Sequence, residues 1–132
     1  MSKQEGHQSK SKLSKCLRSH IFAMRGIVQL FRTEFNAWVH LSVAVCTVAL
    51  GFFFDLSAVE WIAIVLSCGL VLGAEAMNTA IEYLANYCTT EKNEQIRKVK
   101  DVAAGAVLIA ALAALAVGLI IFLPKFLSLF LE

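Results

Sequence analysis

Glu75, Asn78 and Glu82 lie in an otherwise apolar stretch of the chain, where each polar group is costly. A charged side chain at the centre of a membrane helix costs about 2.5–3.5 kcal/mol or more, so such residues are retained for function by default. At about 100° per residue, positions i, i+3 and i+7 fall within roughly a 60° arc, so all three project from one helix face. Glu34 opens a second apolar stretch. Aligned carboxylates in these surroundings suit a metal site or a proton-transfer site.

The elements that must position them are membrane helices. The chain has 132 residues, 58% of them hydrophobic, with a single proline. Its mean hydropathy of +0.69 is too apolar for a soluble domain of this length. Three runs, 35–54, 61–86 and 102–123, are long enough to cross about 30 Å of hydrocarbon as helices. No alternating ten-residue pattern suggests a barrel strand. The expected fold class is therefore an all-α membrane protein with three transmembrane helices.

Upstream, residues 1–13 are polar and rich in Ser and Lys, which predicts a disordered basic tail. Over 14–33 the pattern changes. Leu17, Ile21, Met24, Val28 and Phe31 recur at helical spacing, with Arg18, Arg25 and Arg32 on another face. This predicts an amphipathic surface helix on the inner leaflet; a plain cytoplasmic lead-in to the first span is the alternative. Residues 14–132 then form one membrane domain. The first fifteen residues lead into no short apolar core with a small-residue cleavage site, so no removable leader is expected. Of the 12 Lys and Arg, seven precede the first span and four (Lys92, Arg97, Lys98, Lys100) lie between the second and third. The positive-inside rule places the N-terminus and the 88–100 loop in the cytoplasm and the C-terminus outside. Cys16, Cys46, Cys68 and Cys88 have no C-x-x-C spacing and are expected to be buried small residues rather than ligands. Ala and Gly crowd the third span, which permits close packing in a bundle or an oligomer.

Counting from Trp61, Glu75 lies about 21 Å along its helix and Glu82 about 31 Å, which brings Glu82 to the cytoplasmic interface. Glu34 enters the first span from that side, and Lys100 and Asp101 begin the third there. Such a set suits phosphoryl transfer. Mg²⁺ takes carboxylate oxygens such as those of Glu34 and Glu82 and shares its shell with phosphates. Lys100 neutralises phosphate charge, Glu75 suits a general base for a lipid hydroxyl, and Asn78 is placed to orient either group. A proton- or cation-translocating site and a structural hydrogen-bonded cluster use the same residues. Neither G-x-x-x-x-G-K-[ST] nor G-x-G-x-x-G occurs, so a kinase reading rests on an uncommon fold.

Glu75-Ala-Met-Asn78-Thr-Ala-Ile-Glu82 resembles the E-x-x-N-[ST]-A-I-E signature of the small prokaryotic diacylglycerol kinase and undecaprenol kinase family. Lys100-Asp101 followed by Val-Ala-Ala-Gly-Ala-Val is similar to that family's second signature, and Arg25-Gly26 and Glu34 stand at matching distances upstream. The resemblance runs ungapped over 15–123. It implies a homotrimer of three-span protomers, each with an N-terminal surface helix, and active sites shared between neighbours. It implies Glu75 as catalytic base with Asn78 beside it, and Glu34 and Glu82 as ligands of the Mg²⁺ that accompanies ATP. Lys100, Asp101, Glu91 and Lys15 match nucleotide contacts. Lys15 replaces an arginine, Phe22 an aromatic hydroxyl and Asn86 an aspartate, and Glu91-Lys92-Asn93 stands for Glu-Tyr-His. None of these departures touches the carboxylates.

The expected activity is ATP- and Mg²⁺-dependent phosphorylation of a membrane lipid hydroxyl, on undecaprenol or diacylglycerol, in the bacterial inner membrane. The signature wording leans toward the undecaprenol branch, and no nucleic-acid partner is expected. Two rivals stand beside it: a small oligomeric proton-coupled transporter using Glu75, and a catalytically inert assembly protein. His40, six residues after Glu34 and so on another face, reads as a helix–helix contact, with lipid hydroxyl binding as its alternative.

Overall fold

The computed structural model describes residues 2–89 and 91–131, with side chains from residue 14 onward other than that of Phe130. Its described residues form four helices, α1 (Ser2–Thr33), α2 (Phe35–Phe53), α3 (Ala58–Cys88) and α4 (Glu94–Leu131). They divide into two compact units, α1 alone and the three-helix unit beginning at Glu34. In α1, Leu17, Ile21, Met24 and Val28 are exposed, and the Arg25 guanidinium lies 5.7 Å from the Phe22 ring centre. The helix has no break near residue 14. Residues 2–13 contain no proline, and their Lys, Gln and Glu residues are good helix formers.

In the second unit, α2, α3 and α4 are long and apolar enough to cross a membrane. Val65, Leu66, Ile109 and Ile120 are more than half exposed, as side chains meeting lipid tails would be. Helix α3 packs against both α2 and α4, most extensively against α4. Ala103 and Ala110 are buried there, small residues that let two helices approach closely.

The α2–α3 turn is built with care. Asp55 takes a left-handed conformation (φ 49°), which aspartate tolerates better than most residues. Ser57 then caps α3 reciprocally: its Oγ accepts from the Glu60 amide, and Glu60 Oε2 accepts from the Ser57 amide at 2.8 Å. Lys125 Nζ lies 3.1 Å from Glu60 Oε1 and ties α4 to the same turn. Leu56, Ile64, Ile121 and Phe122 form the core at this end. Trp61 lies so close to α2 that a Cβ on Gly51 would stand 2.7 Å from its Cη2 and 3.2 Å from Leu56 Cδ1. Gly51→Ala is therefore expected to destabilise the fold by about 1–3 kcal/mol. A lowered thermal midpoint in micelles would show it, and an unchanged midpoint would contradict it.

Helix α4 differs from expectation at both ends. It starts at Glu94, two turns before the apolar run at residue 102, and continues through Pro124 to Leu131. Hydropathy marks where a helix becomes apolar, not where it begins. Asn93 sets the start, since its Oδ1 accepts from the amides of Gln95 (2.9 Å) and Ile96 (3.2 Å). Lys100 and Asp101 thus sit inside a helix rather than at its first turn.

Candidate active site

One face of α3 carries the polar groups that the sequence singled out. Glu75 is only 2% exposed and Asn78 8%. Asn78 Nδ2 donates to Glu82 Oε1 at 3.1 Å, one helical turn on, which fixes the amide and the second carboxylate relative to each other. Thr79, also buried, spends its hydroxyl on the Glu75 carbonyl at 3.0 Å. Two buried oxygens, Glu75 Oε1 and Asn78 Oδ1, have no hydrogen-bond partner among the described residues. Leaving such atoms unpaired costs about 1–3 kcal/mol each, more for a charged group. Orphaned acceptors on one face are what a site looks like when its proton donor or cation comes from a ligand.

Helix α2 adds to this face. Glu34 is its N-cap residue, with extended backbone (φ −109°, ψ 112°), and makes no side-chain cap hydrogen bond. Its carboxylate is not spent on its own helix. Glu34, Glu82 and His40 all lie within electrostatic reach of Glu75. Glu75 and Glu82 belong to α3, His40 to α2 and Glu34 to the N-cap of α2. The sequence reads His40 as a helix–helix contact or a lipid-hydroxyl contact; its angle on α2 says nothing about where α3 crosses, so its nearness to Glu75 is not foreseen there. An imidazole in an apolar span was the available signal.

The remaining expected residues fall in an adjacent region. Asn86, one turn beyond Glu82, accepts a 2.6 Å hydrogen bond from Lys100 Nζ, joining the end of α3 to the start of α4. Both line a cavity of about 780 Å³ together with Glu91, Lys92, Asn93 and Arg97. Two lysines and an arginine outnumber the Glu91 and Glu94 carboxylates by one, with Arg97 3.5 Å from Glu94, and the Asn86 and Asn93 amides add neutral polar groups. The Glu91 amide donates to Thr89 Oγ1 at 3.1 Å, which shapes the loop beneath. Asp101 is exposed, its Oδ2 4.0 Å from Arg97 Nη1, a surface pair worth little by itself. Lys15 belongs to α1, where it is exposed. The structure thus sets Glu75, Asn78 and Glu82 on one face of α3, and a separate cavity around Asn86 and Lys100 at the α3–α4 loop.

Among the described residues, no three His, Cys, Asp or Glu side chains gather closely enough to hold a metal ion alone. Glu34 and Glu82 offer hard carboxylate oxygens, and the unpartnered Asn78 Oδ1 is a third oxygen on the same face. Oxygens of this kind are what Mg²⁺ takes when it shares its shell with phosphate and water.

A sequence model of the prokaryotic diacylglycerol kinase family matches residues 21–122. The matched range takes in both groups of residues just described, Lys15 excepted. An undecaprenol kinase from Bacillus subtilis (strain 168) is 37% identical over 116 residues, which span 88% of this chain and 94% of that protein. A diacylglycerol kinase from a Synechocystis species is 34% identical over 114 residues, spanning 86% of this chain and 65% of that protein.

Proposed function

The chain belongs to the prokaryotic diacylglycerol kinase family, and on that footing we propose that it transfers the γ-phosphoryl group of Mg²⁺-ATP to the hydroxyl of undecaprenol or diacylglycerol at the inner leaflet. That it is a lipid kinase follows from the family; the acceptor, the metal and the residue roles are our reading. The observation that carries them is Glu75, almost wholly buried, one oxygen unpartnered, on the face it shares with Asn78 and Glu82.

In this reading the acceptor hydroxyl gives its proton to the Glu75 carboxylate as its oxygen bonds to the γ-phosphorus. The bond from that phosphorus to the β–γ bridging oxygen breaks, and ADP leaves with the electron pair. Little covalent work falls to the protein, so positioning and charge dominate. Asn78 holds Glu82 in place through its amide. Lys100, oriented by Asn86, meets phosphate charge in the cavity at the α3–α4 loop, with Glu91 beneath; the resemblance in signature adds Asp101 and Lys15 as nucleotide contacts. Glu34 and Glu82 would hold Mg²⁺, which would neutralise charge on the phosphates.

The assembly proposed is a homotrimer with sites shared between neighbouring protomers. Its support is the resemblance in signature. Helix α1 lies on the inner leaflet, with Leu17, Ile21, Met24 and Val28 toward lipid. The N-terminus and the α3–α4 loop are cytoplasmic, by the Lys and Arg distribution.

Titrating Mg²⁺ in a phosphoryl-transfer assay tests the ligand roles. Glu34→Gln and Glu82→Gln are each expected to raise the half-maximal Mg²⁺ concentration by about tenfold or more, since each removes a charged oxygen ligand. An unchanged Mg²⁺ dependence in both variants would overturn the assignment.

A further inference from the structure

The 32 residues of α1 stand as a unit of their own, and one face of that helix has a definite charge pattern. At about 100° per residue, Leu17, Ile21, Met24 and Val28 fall within roughly a 60° arc. Arg18, Arg25 and Arg32 fall within roughly a 40° arc that begins about 20° beyond it. Spaced seven residues apart, the arginines form a row along one edge of the apolar face, about 10 Å from each to the next. Arg25 and Arg32 line one open groove with the four apolar residues. All seven of these residues are exposed.

Four observations say what covers this face. The first is charge. Residues 1–33 carry seven Lys and Arg against a single acid, Glu5, a formal net charge of +6. A second copy of α1 brings the same charge and is repelled. The second is placement within the helix. An interfacial helix sinks its apolar face toward the acyl chains, and long cations at the edge of that face reach the headgroups. The third is side-chain type. All three members of the row are arginines, whose planar forks pair bidentately with phosphate and are less strongly hydrated than an ammonium. None of the ion pairs among the described residues engages them. The fourth is attachment. Helix α1 ends at Thr33, and α2, long and apolar enough to cross a membrane, starts at Phe35, so a lipid surface is never far from the row.

Resting on the inner-leaflet placement proposed above, we infer that α1 docks on anionic phospholipids, with the phosphates of neighbouring headgroups held by Arg18, Arg25 and Arg32. The apolar face alone would bind any bilayer. The arginine row makes the docking depend on the charge of the membrane. Each cation near an anionic surface strengthens binding about fivefold, so the row as a whole contributes about a hundredfold.

Hydrogen–deuterium exchange of the full-length protein in lipid nanodiscs tests this. One set of discs holds phosphatidylcholine alone, and the other phosphatidylcholine mixed with phosphatidylglycerol. Amides of residues 14–33 are expected to exchange about tenfold or more slowly in the mixed discs, while those of α3 are unaffected. Added salt should remove the difference, because it screens the attraction. The triple variant Arg18→Gln, Arg25→Gln, Arg32→Gln, altered only at exposed positions, should exchange alike in both discs. Equal protection of the parent in both kinds of disc would overturn the inference, as would a triple variant that keeps the parent's preference. Rapid exchange of α1 in every disc would overturn the inner-leaflet placement together with it. Exchange needs no turnover, so a failure of the kinase reading appears separately, as absence of phosphoryl transfer to any lipid.

Discussion

Glu75→Gln is expected to lower the turnover of phosphoryl transfer by about 10²- to 10⁴-fold, the usual worth of a positioned general base. Glutamine keeps the shape of the side chain but cannot take the proton of the acceptor hydroxyl. The fold is expected to survive, for reasons specific to this site. Glu75 Oε1 has no hydrogen-bond partner among the described residues to lose, and at 2% exposure burial is what makes a charge costly there. A neutral amide removes that cost, so the thermal midpoint of Glu75→Gln should equal or exceed that of the parent. The KM of ATP should change little, because the cationic cavity lies around Asn86 and Lys100, farther along α3. A variant that is stable, binds nucleotide and does not turn over would identify the base. Turnover within about threefold of the parent, far short of a base's usual contribution, would remove Glu75 from that role.

Lys100→Ala is expected to raise the KM of ATP by about 10- to 100-fold, since a hydrogen bond to a charged group contributes about 1.5–3 kcal/mol. The partner of Lys100 explains why the effect should fall on the nucleotide. Asn86 orients the ammonium through a 2.6 Å hydrogen bond yet carries no charge of its own, so the full positive charge remains for phosphate. Asn86→Asp would keep the bond and cancel the charge. It is expected to raise the KM of ATP by about threefold, in line with the modest worth of a partly exposed ion pair. Both effects should weaken with added salt. If neither substitution alters the KM of ATP, the cavity at the α3–α4 loop is not the nucleotide site.

The same residues mark what the sequence could and could not disclose. The three apolar helices were legible because a membrane demands long uninterrupted hydrophobic runs. The shared face of Glu75, Asn78 and Glu82 was legible because local helical geometry is enough to place it, and the Asn78–Glu82 hydrogen bond spans a single turn. Contacts between helices were not. His40 approaches Glu75 only because α2 and α3 cross at a particular rotation, which angle counting within α2 does not contain. The bond between Asn86 and Lys100 depends on the path of the intervening loop. The sequence marks Asn86 as a replacement for an aspartate, but not as the partner of Lys100. The early start of α4 was missed for a different reason: its first two turns are charged, and Asn93 rather than hydropathy sets their beginning.

The central claim, that this site moves phosphate from ATP to a membrane alcohol, is tested most directly by following labelled γ-phosphate. The purified protein in detergent micelles with Mg²⁺ would be offered a prenol and a diacylglycerol in parallel. The account predicts label in the lipid fraction, greater on the prenol, and lost in Glu75→Gln. A folded, oligomeric preparation that labels neither lipid would contradict it. Substrate-driven proton movement without ATP would then assign the buried carboxylates to transport.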